Sequence, residues 1–458
     1  MKRLTTVIIS LAMFYSFAMT ALANSGPRQW NGSSATGIVL TGDNCPLVVE
    51  KEVLDFEIAD FPKEYYSERN KDELDKYTDR FTACYTFFNP TDYDITATLA
   101  FPLGTLPDYL SAMPDFDDNN RFNVTLNGTN AEKEIRFTAV DSANSFDFSE
   151  EVAKLADGYM KDDFYHPDMT VTEYTLTPQI KETVANHPVE MSFVWDSEQY
   201  PDTKIKLGSG FSGYGSSDGG RTLAINGRKP IGQSFTLFAI GQPVETLPEF
   251  SLVSKGVPLE GHVEITTRQT TLKDYLLEIV QFQDIFQNMS DSDIYNILLT
   301  SGIKYASYGS LIDFFWQSNE IMAWFVYDIT VPAGGRVENT VTAPLWPDII
   351  MKTTPYQYEY TYLLSPARQW ADFREIEINI NTPFYMLNSS LQGIEKTEKG
   401  FEYTADGLPQ GEMTFTLCAD ENPSSEVNTA YLWFFLIPVL AIAGPVAALI
   451  ILLKRMNK

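Results

Sequence analysis

The sequence predicts a mainly β protein, built of antiparallel β-sandwich domains with a helical insertion and one C-terminal transmembrane helix. Three observations carry this reading. Short stretches rich in β-branched and aromatic residues recur through most of the chain, separated by Pro, Gly, Asn and Asp. An extended helical period replaces the two-residue alternation across residues 269–319. Tyr431 to Leu453 runs without a charged side chain and is followed by Lys454, Arg455 and Lys458.

The first segment, residues 1–23, has the layout of a signal peptide. Lys2 and Arg3 form a basic end, Val7 to Met19 is apolar, and Ala21-Leu22-Ala23 is a small-residue cleavage site. Residues 24–268 then read as an N-terminal β-rich region of one or two sandwich domains. Its strands are expected at Leu47 to Ile58, Phe81 to Phe88, Ile95 to Phe101, Phe122 to Leu126, Glu134 to Val140, Val171 to Leu176, Val189 to Trp195, Thr203 to Leu207, Ser234 to Ile240 and His262 to Thr267. Asn127-Gly128 marks a hairpin turn between Phe122–Leu126 and Glu134–Phe137. Ser149 is the expected cap of a short helix with Val152, Leu155, Ala156 and Tyr159 on one face.

In the helical insertion, Leu272, Tyr275, Leu276, Ile279 and Phe286 share a stripe, and Ser290-x-x-Asp293 resembles a capping box opening a second helix. Its apolar residues are expected to cover the β scaffold. Residues 320–419 form a C-terminal β domain in which Tyr356, Tyr358, Tyr360 and Tyr362 alternate with polar residues, placing four tyrosines on one sheet face. Residues 420–430, with Pro423, Ser424 and Ser425, are the linker, 431–453 the membrane helix and 454–458 the cytoplasmic tail. At about 1.5 Å per residue the apolar run reaches roughly 34 Å, enough to cross a ~30 Å hydrocarbon core with some tilt. The basic tail sets the topology: a single-pass protein of the cell membrane, N-terminus outside and C-terminus cytoplasmic.

Charge bounds the partners. With 61 acidic against 33 basic residues and a net charge of −28, the chain lacks the basic stripe that phosphate binding demands, so nucleic acid is excluded as an expected partner. The three cysteines make no disulfide scaffold. Cys45 and Cys84 lie on neighbouring expected strands and either bridge or stay free, while Cys418 fits a small apolar role.

No chemical motif is complete. Gly208-Ser-Gly210-Phe-Ser-Gly213 has the letters of a dinucleotide loop, but Tyr214-Gly-Ser-Ser-Asp-Gly-Gly220 stands where the phosphate-binding helix should begin, so a surface loop is expected and no cofactor. His166 and His187 each precede proline and cannot form a helical metal pair, and His262 is alone. Asp115, Asp117 and Asp118 are oxygen-rich candidates for calcium or simply a solvated loop, since the glycine and the bidentate glutamate of an EF-hand are missing. Asp162 and Asp163 are a candidate carboxylate pair for glycoside hydrolysis. The tyrosine ladder is either core or a stacking platform for sugar rings.

Arg80-Phe-Thr-Ala-Cys-Tyr85-Thr-Phe87-Phe-Asn89-Pro90, followed by Ala97-Thr-Leu-Ala-Phe101-Pro102-Leu103, resembles the pattern of the VIT (vault and inter-α-trypsin inhibitor) β domain. The same stretch, with Tyr362-Leu-Leu-Ser-Pro-Ala-Arg-Gln-Trp370, Ile380-Asn-Thr-Pro383 and Leu408-Pro-Gln-Gly411, is similar to bacterial cell-surface proteins that have a signal peptide, a β-rich ectodomain and one C-terminal helix. The VIT resemblance implies sandwich packing and protein association and carries over no catalytic residue. The resulting expectation is a membrane-anchored binding module, for adhesion or envelope assembly, with a protein or glycan partner. The alternative is a cell-envelope glycan hydrolase.

Overall fold

The computed structural model describes residues 21–23, 25–31, 38–40, 45–63, 76–105, 107, 114–141, 146–181, 187–286, 288–303 and 319–425. The fold is mainly β, in several largely antiparallel sheets. The expected membrane helix at 431–453 and most of the expected signal peptide lie outside the described residues. Among the described residues no helix is long and apolar enough to cross a membrane.

The centre is a nine-stranded sheet in which strands from both ends of the chain interleave. Val48–Glu57 pairs antiparallel with Arg80–Phe88 on one side and parallel with Glu375–Asn381 on the other. Arg80–Phe88 in turn pairs with Arg336–Pro344. Hydrophobic periodicity locates such strands but does not say which of them pair, so the sequence-order division into an N-terminal and a C-terminal β region is not the division into sheets. A second sheet, with Ile95–Thr105, Asn319–Val331 and Glu134–Asp141, and a third, with Gln357–Leu363 and Met413–Cys418, contribute to the same core. Alternating inward residues build it: the Phe81 ring stacks on Phe101 at 5.8 Å, and Phe56 meets Tyr362 and Phe415 edge-on at 5.8 and 5.6 Å.

One break in alternation matters. Pairing of Val48–Glu57 with Arg80–Phe88 slips between Val49 and Lys51, a bulge that leaves Glu50 as the extra residue. Glu50 turns outward to Arg336 and Arg374, and Glu52 is carried to the inner face, where it is fully buried. There it accepts from the Tyr362 hydroxyl at 3.2 Å, which lies 3.4 Å from that of Tyr85. Burial, followed by the nearby Glu52 carboxylate, pushes both phenols well above their ordinary range.

Residues 170–271 form a two-sheet sandwich of their own. A four-stranded sheet runs in the order Thr203–Leu207, Phe235–Gly241, Thr170–Ile180, Gly261–Thr271, and faces a five-stranded sheet built on Val189–Asp196 and Thr222–Lys229. Trp195, Leu223, Phe235 and Leu237 fill the space between. Here the glycine-rich stretch is not a loop. Phe211–Ser217 pairs with Thr222–Lys229 around Asp218–Gly220, and a Cβ on Gly227 would stand 2.1 Å from the Gly210 carbonyl. The missing side chains that hid the hairpin are what permit its close backbone approach.

Two turn readings also change. Asn127 and Gly128, both at positive φ, connect Asn123–Leu126 to Thr129–Asn130 in a two-residue loop, while Glu134–Asp141 crosses to the second sheet. The helix Phe148–Ala153 is capped by Asp147, whose carboxylate accepts from the Ser149 and Glu150 amides, and not by Ser149. A carboxylate at a helix N-terminus satisfies two orphan donors and complements the dipole.

The helical insertion begins directly on the sandwich. Thr271 ends one strand and caps Leu272–Val280, with Leu272, Tyr275, Leu276 and Val280 buried. Ser290 caps Asp291–Leu298 through the Asp293 amide. The Asp293 side chain does not return to the cap: it takes Arg136 Nε at 3.0 Å and Nη2 at 2.8 Å and the Phe137 amide at 3.2 Å, all buried. Removing one partner of such a pair strands the other. Asp293→Asn should therefore cost about 3 kcal/mol in a denaturant titration, and the double replacement Arg136→Met with Asp293→Leu should recover most of it.

Candidate functional site: an exposed strand edge

Several candidate residues named from sequence make structural contacts. Tyr360 and Tyr362 are buried, Tyr360 stacking on Phe415 at 5.0 Å, and Tyr358 stacks on Phe61 at 3.8 Å; Tyr356 offers its carbonyl to the Cys418 thiol at 3.4 Å. Tyr360 and Tyr362 therefore belong to the core, while Tyr356 and Tyr358 are half-buried. The candidate bridge is unmade: Cys45 and Cys84 are free. Cys84 lies on the outer side of its strand, between inward Ala83 and Tyr85, while Cys45 is within the core, so the sheet separates them. Burial pushes the Cys45 thiol up to about 11, which keeps it protonated and inert. Cys418 is buried, as its small apolar role requires.

The acidic candidates close local turns. Asp115 Oδ1 accepts from the Asp117 amide and Asp118 Oδ1 from the Asn120 amide. Among the described residues no group of three or more His, Cys, Asp or Glu could hold a metal ion. Asp162 Oδ1 accepts from the Phe164 and Tyr165 amides, so it fixes a turn where a hydrolase would need a converging carboxylate. Asp163, His166, Asp168 and Asp202 border an open depression of about 470 Å³.

Sequence reasoning missed Asp79. It is 2% exposed at the back of a cleft of about 130 Å³ that Arg80 and Arg121 also line. Its carboxylate accepts from the Ala59 amide at 3.0 Å, the Asp60 amide at 3.3 Å and the Tyr77 hydroxyl at 3.4 Å, tying the end of one strand to the start of the next. Every donor is internal, which makes it a clamp.

What distinguishes the surface is one strand edge. Sheets in soluble proteins blunt their edges, because a free row of N–H and C=O groups is a template for another chain. Among the described residues the other edges obey this rule. Thr129–Asn130 and Glu395–Lys396 are two residues each; Ala21–Ala23 and Ile38–Leu40 are three; Phe211–Ser217 and Tyr385–Ser389 carry bulges; Val257–Pro258 ends in proline. Glu134–Asp141 is covered: Asp293 takes its Phe137 amide and Lys154 its Ala139 carbonyl at 2.9 Å. Thr203–Leu207 is buried at four of its five positions, and Lys206 Nζ donates to the Ile303 carbonyl at 2.8 Å. Burial lowers that ammonium to about 7.

Gly261–Thr271 is none of these. It is 11 residues long, pairs with Thr170–Ile180 in one unbroken register, contains no proline, and has no second strand along its outer side among the described residues. Neither face is buried; Ile265 is 43% exposed. Two cross-strand contacts tie it to Thr170–Ile180: Arg268 Nε to Glu173 at 2.8 Å, with Nη2 reaching Glu278 of the next helix at 2.8 Å, and Gln179 to Glu264 at 3.0 Å. The signal was in the sequence: Val263, Ile265, Thr266, Thr267 and Thr270 are β-formers with only one apolar pair, too polar for a core strand.

No protein-family model and no curated protein matches the chain. Among solved structures, a protein from Legionella pneumophila described as a candidate nutrient binding protein is similar over 87% of this chain and 70% of its own, at 10% identity and a TM-score of 0.27. That likeness is too low to carry fold or function.

The burial of Asp79 supplies a test. Desolvation raises its carboxyl from 3.8 to about 6. Its stabilising contribution is thus complete below the unfolded pKa and is lost as pH rises through 6, a change of about 3 kcal/mol. Wild-type stability should fall between pH 4 and 6 relative to Asp79→Asn, as read by urea unfolding at each pH.

Proposed function

We propose that this protein is an exported, membrane-tethered interaction module that binds a protein partner by strand addition along Gly261–Thr271. The carrying observation is the bare 11-residue edge in a structure whose other described edges are short, bulged or covered. Strand addition takes its affinity from main-chain hydrogen bonds and its specificity from alternate side chains. The residues supply both, with Val263 and Ile265 on the inward-facing side and Glu264, Thr266 and Arg268 on the other.

Export and tethering are supported by the sequence: the basic, apolar and small-residue order of residues 1–23, and the uncharged run 431–453 before a basic tail. A linker of about ten residues reaches at most ~35 Å, which would keep the sheet that contains Met413–Cys418 near the bilayer.

A photocrosslinking side chain placed at Thr266 of the full chain in its own membrane should form a discrete protein adduct. Adding Ile265→Lys and Thr267→Lys, charges that blunt an edge, should remove the adduct and leave the melting temperature within about 2–4 °C. An edge that yields no protein adduct would sink the reading.

A further inference from the structure

We propose that the edge strand's partner is a second copy of this chain, paired antiparallel through Gly261–Thr271 about a two-fold axis at Thr266. This names the occupant of the edge described above and rests on the strand-addition reading.

The register comes from charge. Glu264 and Arg268 are the only ionised side chains in the strand, and Thr266 is midway between them and midway along Gly261–Thr271. The antiparallel register that overlaps the two strands completely therefore sets Glu264 of each copy opposite Arg268 of the other. Glu264, Thr266 and Arg268 share one face, because side chains alternate. A shift of two residues either way loses both pairs, and a shift of four sets like charges opposite each other, which is destabilising. Arg268 has the capacity: its contacts to Glu173 and Glu278 run through Nε and Nη2, so Nη1 is not engaged by them. On the opposite face the same register sets Ile265 against Thr267 and Val263 against Gln269, covering the most exposed apolar residue of the strand.

Closure follows. In each copy the far edge of this sheet, Thr203–Leu207, is buried and pinned by Lys206 to Ile303. Joining two four-stranded sheets at their bare edges gives one sheet with both ends covered. The contact is isologous and stops at two, unlike an edge that propagates.

The purified full-length chain in mild detergent, examined by sedimentation, should be a dimer. Glu264→Arg and Arg268→Glu should each weaken self-association about tenfold or more, since each sets like charges opposite each other twice. Mixed together, the two variants should form a heterodimer of near wild-type affinity, because both cross-pairs are then restored. The mixing result also covers loss of the internal Arg268 contacts, and unchanged melting of Glu264→Arg controls for folding. A chain that is monomeric at all concentrations, or a dimer indifferent to Glu264→Arg, overturns the proposal. A Thr266 photocrosslink to a different protein, with none between copies, overturns the dimer and leaves strand addition standing.

Discussion

The arrangement depends on the buried pair between Arg136 and Asp293. Arg136 belongs to a strand at the rim of its sheet, and Asp293 opens the second helix of the insertion. The bidentate contact does three jobs at once. It neutralises a buried carboxylate, occupies a rim amide that would otherwise face outward, and fixes where the helix lies. Desolvation opposes the Arg136 charge, but hydrogen bonding and attraction from Asp293 outweigh it, and the guanidinium is held more firmly protonated than usual. With that helix fixed, the turn after it reaches Ile303, whose carbonyl receives Lys206. One ion pair in the core thus governs the covering of an edge in the inserted sandwich.

The central sheet relies on a second departure from apolar packing. The bulge at Glu50 does not merely bend a strand; it shifts the inward phase by one residue and commits a carboxylate to the interior. Tyr362 meets that carboxylate from another strand, Tyr85 from a third strand lies against the Tyr362 hydroxyl, and the Tyr85 hydroxyl also receives the Ser25 amide at 3.3 Å. Trp370 donates to the Ser25 carbonyl at 3.0 Å. Segments far apart in sequence are therefore registered by a polar network, which specifies position more sharply than interchangeable apolar contacts do.

This explains what the sequence showed and what it hid. A strand such as Val189–Asp196 was legible because its alternation is clean and its ends carry turn residues. Partners were not legible: nothing local in Val48–Glu57 announces a parallel neighbour more than 300 residues away. The hairpin at Phe211–Ser217 was hidden because glycine contributes no pattern even where geometry requires it. Asp293 looked like a capping-box residue because its spacing from Ser290 is right, yet a buried guanidinium competes better for its carboxylate than an exposed amide does. The tyrosine ladder was read with the correct period, but period alone does not tell a core face from a binding face.

The edge strand was located within a few residues, and its meaning was not visible until the other edges could be compared with it. An edge is identified as special by contrast: proline at Val257–Pro258, bulges at Phe211–Ser217, side-chain covers at Glu134–Asp141, and none of these on Gly261–Thr271. Leaving such an edge bare carries a hazard of aggregation, which the strongly acidic composition opposes through general repulsion between copies. General repulsion and a local charge match then act at different ranges. Repulsion is screened beyond a Debye length of about 8 Å at physiological salt, whereas contacts made across a strand pair are shorter than that. A surface that discourages indiscriminate contact while one strand carries a self-complementary charge pattern is how an open edge stays selective.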